Sequence, residues 1–130
     1  MTIPFWCLLA AVLLPYVWVP FTAEDRAKAE GGFDNFNPRA QQAKLSGRAA
    51  RAIAAHKNSF EALAAFAPAV VVNHLVGADA TQSAAVAVAW VVLRVLYGVL
   101  YLANAGNPRS VVWFLSLACS LALFGLAAMK

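Results

Sequence analysis

Four long apolar runs, separated by short polar or glycine-proline segments, set the pattern of this chain. They cover Ile3 to about Ala23, about Arg48 to Val76, about Thr81 to Ala105, and about Arg109 to Met129. A helix that crosses a bilayer needs about 20 residues, and each run meets that length. Pro15 predicts a kink in the first. Gly77-Ala78-Asp79 forms a short turn between the second and third. Gly106-Asn107-Pro108 breaks the chain before the fourth, with Pro108 suited to be its first helical residue. Connections this short join antiparallel neighbours, so the pattern predicts an all-α, up-down-up-down membrane bundle of four helices in one domain over residues 1–130. The single long connection, about residues 24–47, carries Gly31-Gly32 and Asn37-Pro38. It reads as an irregular segment that lies on the membrane or lids a site.

Polar residues interrupt the apolar runs on narrow stripes. With about 100° of rotation per helical residue, Arg51, Asn58 and Glu61 fall within an arc of about 80° on the second span. On the third, Trp90, Arg94, Tyr97, Tyr101 and Asn104 share one stripe. On the fourth, Arg109, Trp113, Ser116 and Ser120 share another, with Ser110 beside Arg109. Glu61 lies about ten residues beyond Arg51, roughly 15 Å deeper along the helix. A carboxylate at that depth costs a few kcal/mol in hydrocarbon, so it faces protein or water. Three polar faces that converge would line a pocket with cations, hydroxyls and one carboxylate.

Composition agrees with a membrane protein. The apolar fraction is 62% and mean hydropathy +0.68, well above an ordinary soluble domain, and only 12% of residues are charged. The net charge of +4 does not point to nucleic acid, because the cations are not interleaved with stacking aromatics on a soluble surface. Residues 24–51 hold six basic residues (Arg26, Lys28, Arg39, Lys44, Arg48, Arg51) against four acids. Arg109 adds to the same side, while the other offers Asp79 and Lys130. The positive-inside rule puts the long loop in the cytoplasm and both termini outside. The first run has no basic start and exceeds a signal-peptide core, so it reads as a retained span. Cys7 and Cys119 sit in apolar runs without metal or redox spacing, and no metal is expected.

Each polar residue has a plain reading beside the functional one. Arg94 is either one half of an ion pair, with Glu61 the natural partner, or a ligand group. Arg109 is either a headgroup anchor or a site cation. Tyr97 and Tyr101 are either belt aromatics or pocket hydroxyls. Asn58 either bonds a neighbouring helix or a ligand. Lys57 falls off the stripe, His56 reads either way, and His74 lies at the opposite face. A pocket of this charge suits a small anionic peptide, with carboxylates on the arginines and an amine on Glu61. A cation or hydroxyl near a bound thiol would stabilise its reactive thiolate.

The block Arg51-Ala-Ile-Ala-Ala-His56-Lys-Asn58-Ser-Phe-Glu61, the later Arg94-x-x-Tyr97-x-x-x-Tyr101, and Arg109-Ser110 resemble the MAPEG superfamily. Its members include microsomal glutathione transferases, leukotriene C4 synthase and microsomal prostaglandin E synthase, and the chain is most similar to bacterial members. The resemblance spans most of the chain. It implies a homotrimer of four-helix subunits in the bacterial inner membrane, with glutathione as co-substrate bound between subunits near the cytoplasmic face. Arg51, Asn58, Glu61, Tyr97 and Tyr101 resemble glutathione-contacting positions, and Glu61 the position that meets the γ-glutamyl amine. Arg94 resembles a buried basic residue of the third helix that belongs to the same binding set. Arg109 and Ser110 resemble the positions proposed to activate the thiol. The chain departs from the family pattern at Ala54, where an arginine is frequent, in its uncharged first span, and at Trp113, where a tyrosine is common.

Two functions follow. The first is a glutathione-dependent membrane transferase or peroxidase acting on a lipophilic electrophile from the bilayer. The alternative is a non-catalytic trimer that binds a lipid or anionic metabolite in the same pocket. A transporter is disfavoured because the outer halves of the spans are almost wholly apolar.

Overall fold

The computed structural model describes residues 1–130, and every regular element in it is helical. Helix α1 is Ile3–Val17, followed by a 3₁₀ turn at Val19–Thr22 and α2 at Ala23–Lys28. Helix α3 is Pro38–Ala43, and the long helices α4, α5 and α6 are Gly47–Leu75, Ala80–Leu102 and Gly106–Ala128. Three stretches are long and apolar enough to cross a membrane: Ile3–Lys28, α5 and α6. The fourth long helix, α4, is less apolar because its first half holds Arg48, Arg51, His56, Lys57, Asn58 and Glu61. At 29 residues it is about 43 Å long. That exceeds a hydrocarbon core of about 30 Å, so its charged start can stand in the headgroup region.

Helices α4 and α5 run antiparallel, joined by four rungs. From the loop end inward, Arg51 Nε donates to Leu102 O at 3.3 Å, and Arg94 Nη2 donates to Asn58 Oδ1 at 2.8 Å. Phe66 stacks on Trp90 with ring centroids 3.9 Å apart, and Ser83 Oγ donates to Asn73 Oδ1 at 2.6 Å. Asn73 also donates from Nδ2 to Leu123 O at 2.9 Å, which ties α6 to the same pair. Close approach of the helices needs small side chains. Ala11, Ala52, Ala55, Ala69 and Ala87 are all buried, and Cys7, Phe66, Val70, Trp90 and Leu123 fill the core between them. Only 27 of 130 residues are buried, and apolar side chains such as Leu13, Val92 and Phe114 face outward. An apolar exterior on this scale belongs to a protein surrounded by lipid or by further copies of itself.

Pro15 lies inside α1, which continues through Val17 and gives way just before Pro20. Pro20 has no N–H and disfavours helical backbone in the residue before it. Carbonyls at a helix end lose their intrahelical donors. The Pro15 carbonyl instead accepts from His56 Nδ1 at 2.8 Å. Trp18, at the break, donates from Nε1 to Ser59 Oγ at 3.2 Å. Its indole lies directly on Gly98 of α5, where any Cβ would fall 2.0 Å from the ring. His56 thus packs α4 against the end of α1.

The other ends also differ from the sequence expectation by a few residues. Helix α6 starts at Gly106 rather than Arg109, and Arg109 N–H makes an early bond of the helix, to Ala105 O at 3.1 Å. Pro108 sits inside the first turn, where amides have no intrahelical acceptor and a proline loses nothing. Helix α5 ends at Leu102 because Asn104 takes a left-handed conformation, φ 60°, with Ala105 N–H reaching back to Leu100 O at 3.0 Å. Asn104 is exposed and closes the helix; it is not a lining residue. Gly77, φ 67°, closes α4 in the same way, and Asp79 then caps α5 by accepting from Gln82 N–H at 2.8 Å.

The long loop is folded, not irregular. Buried Arg26 donates from Nε to Gln41 Oε1 at 2.8 Å and from Nη2 to Asp34 O at 3.0 Å, and its guanidinium lies 3.8 Å over the Phe33 ring. Gln41 donates back to Gly32 O at 2.8 Å. Asp34 Oδ1 accepts from the amides of Phe36 and Asn37, each at 2.8 Å. These bonds, with the Asp34 carboxylate close to Arg26, hold the Asp34 carboxyl below the usual aspartate value, the Asn37 amide contributing most.

Candidate functional site

The polar faces of α4, α5 and α6 do converge. Between them lies a crevice of about 100 Å³, lined by Asn58 and Glu61 of α4, Trp90 and Arg94 of α5, and Trp113, Ser116 and Ser120 of α6. Each helix contributes through one stripe at helical spacing, so the register read from the sequence is the register of the lining. Trp90, Trp113, Ser116 and Ser120 belong to those stripes and line the crevice with Asn58, Glu61 and Arg94.

Arg94 and Glu61 do not form the expected ion pair. The only ion pair in the chain joins Lys28 and Glu24 within α2. Asn58 stands between Arg94 and Glu61 instead. Arg94 Nη2 donates to Asn58 Oδ1 at 2.8 Å and to its backbone carbonyl at 3.3 Å, while Asn58 Nδ2 donates to Glu61 Oε2 at 2.7 Å. A guanidinium only donates and a carboxylate only accepts, so the two charges fix which way the Asn58 amide points. Positive and negative charge are coupled through one neutral group. Glu61 remains on an exposed face, able to meet a further donor.

Arg94 is 1% exposed, and its Nε and Nη1 find no hydrogen-bond acceptor. The Tyr97 ring covers the guanidinium, 4.2 Å from its carbon to the ring centroid, and its π face takes part of the charge. Tyr97 meets Tyr101 edge to face at 5.6 Å, and the Arg109 guanidinium lies 4.2 Å over the Tyr101 ring. An unbroken run of contacts therefore leads from Glu61 through Asn58, Arg94, Tyr97 and Tyr101 to Arg109. It passes from the crevice to the loop end of the bundle.

Two of the sequence candidates stand apart from this run. Arg51 is half-buried and engaged with Leu102 O, at the end of α5. Ser110 is exposed, and its hydroxyl bonds to Gly106 O of its own helix at 3.2 Å. Neither lines the crevice. Ala54, on the turn of α4 between Arg51 and Asn58, is half-buried and supplies no charge. No group of three His, Cys, Asp or Glu side chains gathers with metal-ligand geometry.

A crevice of about 100 Å³ takes a small terminal group and not a whole tripeptide, since sites for drug-sized ligands run to roughly 300–1,000 Å³. A larger ligand would place one end at Glu61 and lie along the open edge towards Arg109.

A model of the MAPEG family matches residues 3–129. No curated protein and no solved structure matches the chain.

Proposed function

Because the chain belongs to the MAPEG family of multi-pass integral membrane proteins, we propose that it is a glutathione-dependent transferase or peroxidase acting on a lipophilic electrophile drawn from the bilayer. The family typically uses glutathione and typically forms trimers, and it includes non-catalytic members as well. The single observation that carries the reading is the run from Glu61 to Arg109, with a carboxylate at one end and a half-buried guanidinium at the other.

In this reading Glu61 takes the γ-glutamyl amine, held in place by Asn58. Arg51 and the second copy of a trimer supply the cover and cations for the carboxylates. The thiol lies near Arg109, with Ser110 and the Tyr101 hydroxyl at hand. Arg109 stabilises the thiolate as the thiol proton passes to water, and the sulfur attacks the electrophilic carbon as the leaving group departs with its electron pair. Holding both reactants in register at the membrane edge supplies much of the rate. The excess of basic residues over positions 24–51 supports a cytoplasmic location for this end of the bundle, where glutathione would be met.

The test is glutathione binding and thiolate absorbance in detergent, for the wild type, Arg109→Ala and Glu61→Gln. Wild type binds at millimolar glutathione or tighter; Arg109→Ala loses the thiolate signal, and Glu61→Gln weakens binding about tenfold. No binding by the wild type refutes the reading. Uncharged Ala54 favours the alternative, a non-catalytic trimer that binds an anionic metabolite; binding without conjugation of any lipophilic electrophile would support it.

A further inference from the structure

We infer that the groove where the end of α1, the start of α4 and the end of α5 meet is a binding site for an anionic phospholipid of the surrounding bilayer. This site is distinct from the crevice and does not depend on the proposed reaction. The groove has a volume of about 520 Å³ and is lined by Trp18, Phe21, Arg48, Val99, Leu102 and Ala103. Every lining residue but Arg48 is apolar or aromatic, and Arg48 stands at the loop end.

Three observations identify the occupant by its chemistry. First, Arg48 has no carboxylate partner; its guanidinium lies 5.2 Å over the Phe21 ring, and the one ion pair of the chain is elsewhere. Second, Arg48 is in the first turn of α4, a 29-residue helix whose positive dipole end repels a cation. The amides of Gly47, Arg48 and Ala49 have no acceptor there, because the Ser46 side chain makes no capping bond. An anionic oxygen beside Arg48 would meet a guanidinium that no carboxylate neutralises, at a helix end that favours negative charge. Third, the remainder of the groove is a wall for a hydrocarbon chain. Its floor is the Trp18 indole pressed onto Gly98, and Val99 and Phe21 stand exposed on its sides. A phosphate head on Arg48 with an acyl chain along Trp18, Val99 and Leu102 satisfies all three. A free phosphate would leave the apolar wall uncovered. Lipids of this charge are concentrated on the membrane face that also draws basic loops.

The experiment compares retention of phosphatidylglycerol and phosphatidylcholine of equal chain length by the detergent-purified protein, read by native mass spectrometry. The variants are Arg48→Gln, Arg39→Gln and Val99→Trp. Wild type prefers phosphatidylglycerol. Arg48→Gln lowers that preference about fivefold, the weight of one arginine at an anionic surface. Arg39→Gln, the same charge change on exposed α3, leaves it unchanged, and Val99→Trp lowers retention of both lipids. Equal effects of Arg39→Gln and Arg48→Gln would reduce the preference to net charge and overturn the site. So would displacement of the lipid by millimolar inorganic phosphate. Disulfide crosslinking of Val99→Cys between copies, in a background with Cys7 and Cys119 replaced by alanine, would assign the groove to a second copy and also overturn it.

Discussion

Gly98→Ala tests the joint that seats α1 on the rest of the bundle. A Cβ at this position would lie 2.0, 2.3 and 2.5 Å from three atoms of the Trp18 indole. Ordinary contact begins at about 3.4 Å, so the ring must retreat by about 1.4 Å. Trp18 has no free direction in which to retreat, because its Nε1 is bonded to Ser59 Oγ at 3.2 Å and the ring is buried at 3% exposure. Overpacking of a tight core costs about 1–3 kcal/mol. A tryptophan N–H left unpaired costs a similar amount. The better helix propensity of alanine returns about 0.5–1 kcal/mol. The expected net destabilisation is about 3 kcal/mol, measured by reversible denaturant unfolding in detergent. Trp18→Phe removes the outer ring, so Gly98→Ala in that background should be neutral or slightly stabilising. The coupling between the two sites is then close to the whole effect. If Gly98→Ala alone stays within about 0.5 kcal/mol of wild type, the close approach of Trp18 and α5 is wrong.

Three further expectations bear on other parts of the molecule. Asn58→Leu should destabilise by about 3 kcal/mol, because it strips Arg94 of its side-chain acceptor while the charge stays buried; adding Arg94→Met should recover part of that loss, and an additive double mutant would refute the relay. Gln41→Ala should loosen the loop without melting the bundle, so trypsin cleavage at Arg39 rises roughly tenfold while thermal unfolding in detergent is unchanged; a parallel loss of both would mean that loop and bundle unfold together. Asp34 has its carboxyl held below 3.8 by the amides of Asn37 and Phe36, so its turn is fully supported above that value and is lost only as pH falls through the lower, folded value. Hydrogen exchange at those two amides, corrected for intrinsic rates, should therefore show constant protection from neutral pH down to about 5, and protection lost within that range would refute the assignment.

Much of this fold was legible because membrane helices write their register openly. Hydrocarbon tolerates no unpaired backbone, so four apolar runs with short breaks leave little choice but an antiparallel bundle. The ends were less legible. Pro15 suggested a kink in α1, but what the sequence did not announce is the fate of its carbonyl at the helix end, which His56 takes from 41 positions away. Nothing local announces that partner. Asn104 looked like the last residue of a polar stripe, but a helix that must turn tightly into the next needs one residue at positive φ, and asparagine is among the few that accept it. The long loop looked irregular because its order comes from Arg26 and Gln41, 15 residues apart in a segment with little periodicity.

The site shows where helical register stops being informative. A wheel gives the direction of a side chain but neither its reach nor the axial stagger between helices. Direction alone set Arg94 facing Glu61, and opposite charges made an ion pair the natural expectation. The stagger instead puts the α4 backbone at Asn58 within reach of Arg94, so the guanidinium takes two oxygens of Asn58 and the carboxylate takes its amide. The difference bears on function. A direct pair would saturate Glu61 and leave it little use for a ligand amine. A bridged pair leaves Glu61 open on its outer side, where the proposed ligand amine could reach it. The same limit applies to Ser110, placed beside Arg109 in the sequence, whose hydroxyl turns back to Gly106 O, a bond that short side chains in helices commonly make. In the proposed reaction, thiolate stabilisation would therefore fall to Arg109, beside the Tyr101 ring it covers, rather than to a serine hydroxyl already engaged with its own helix.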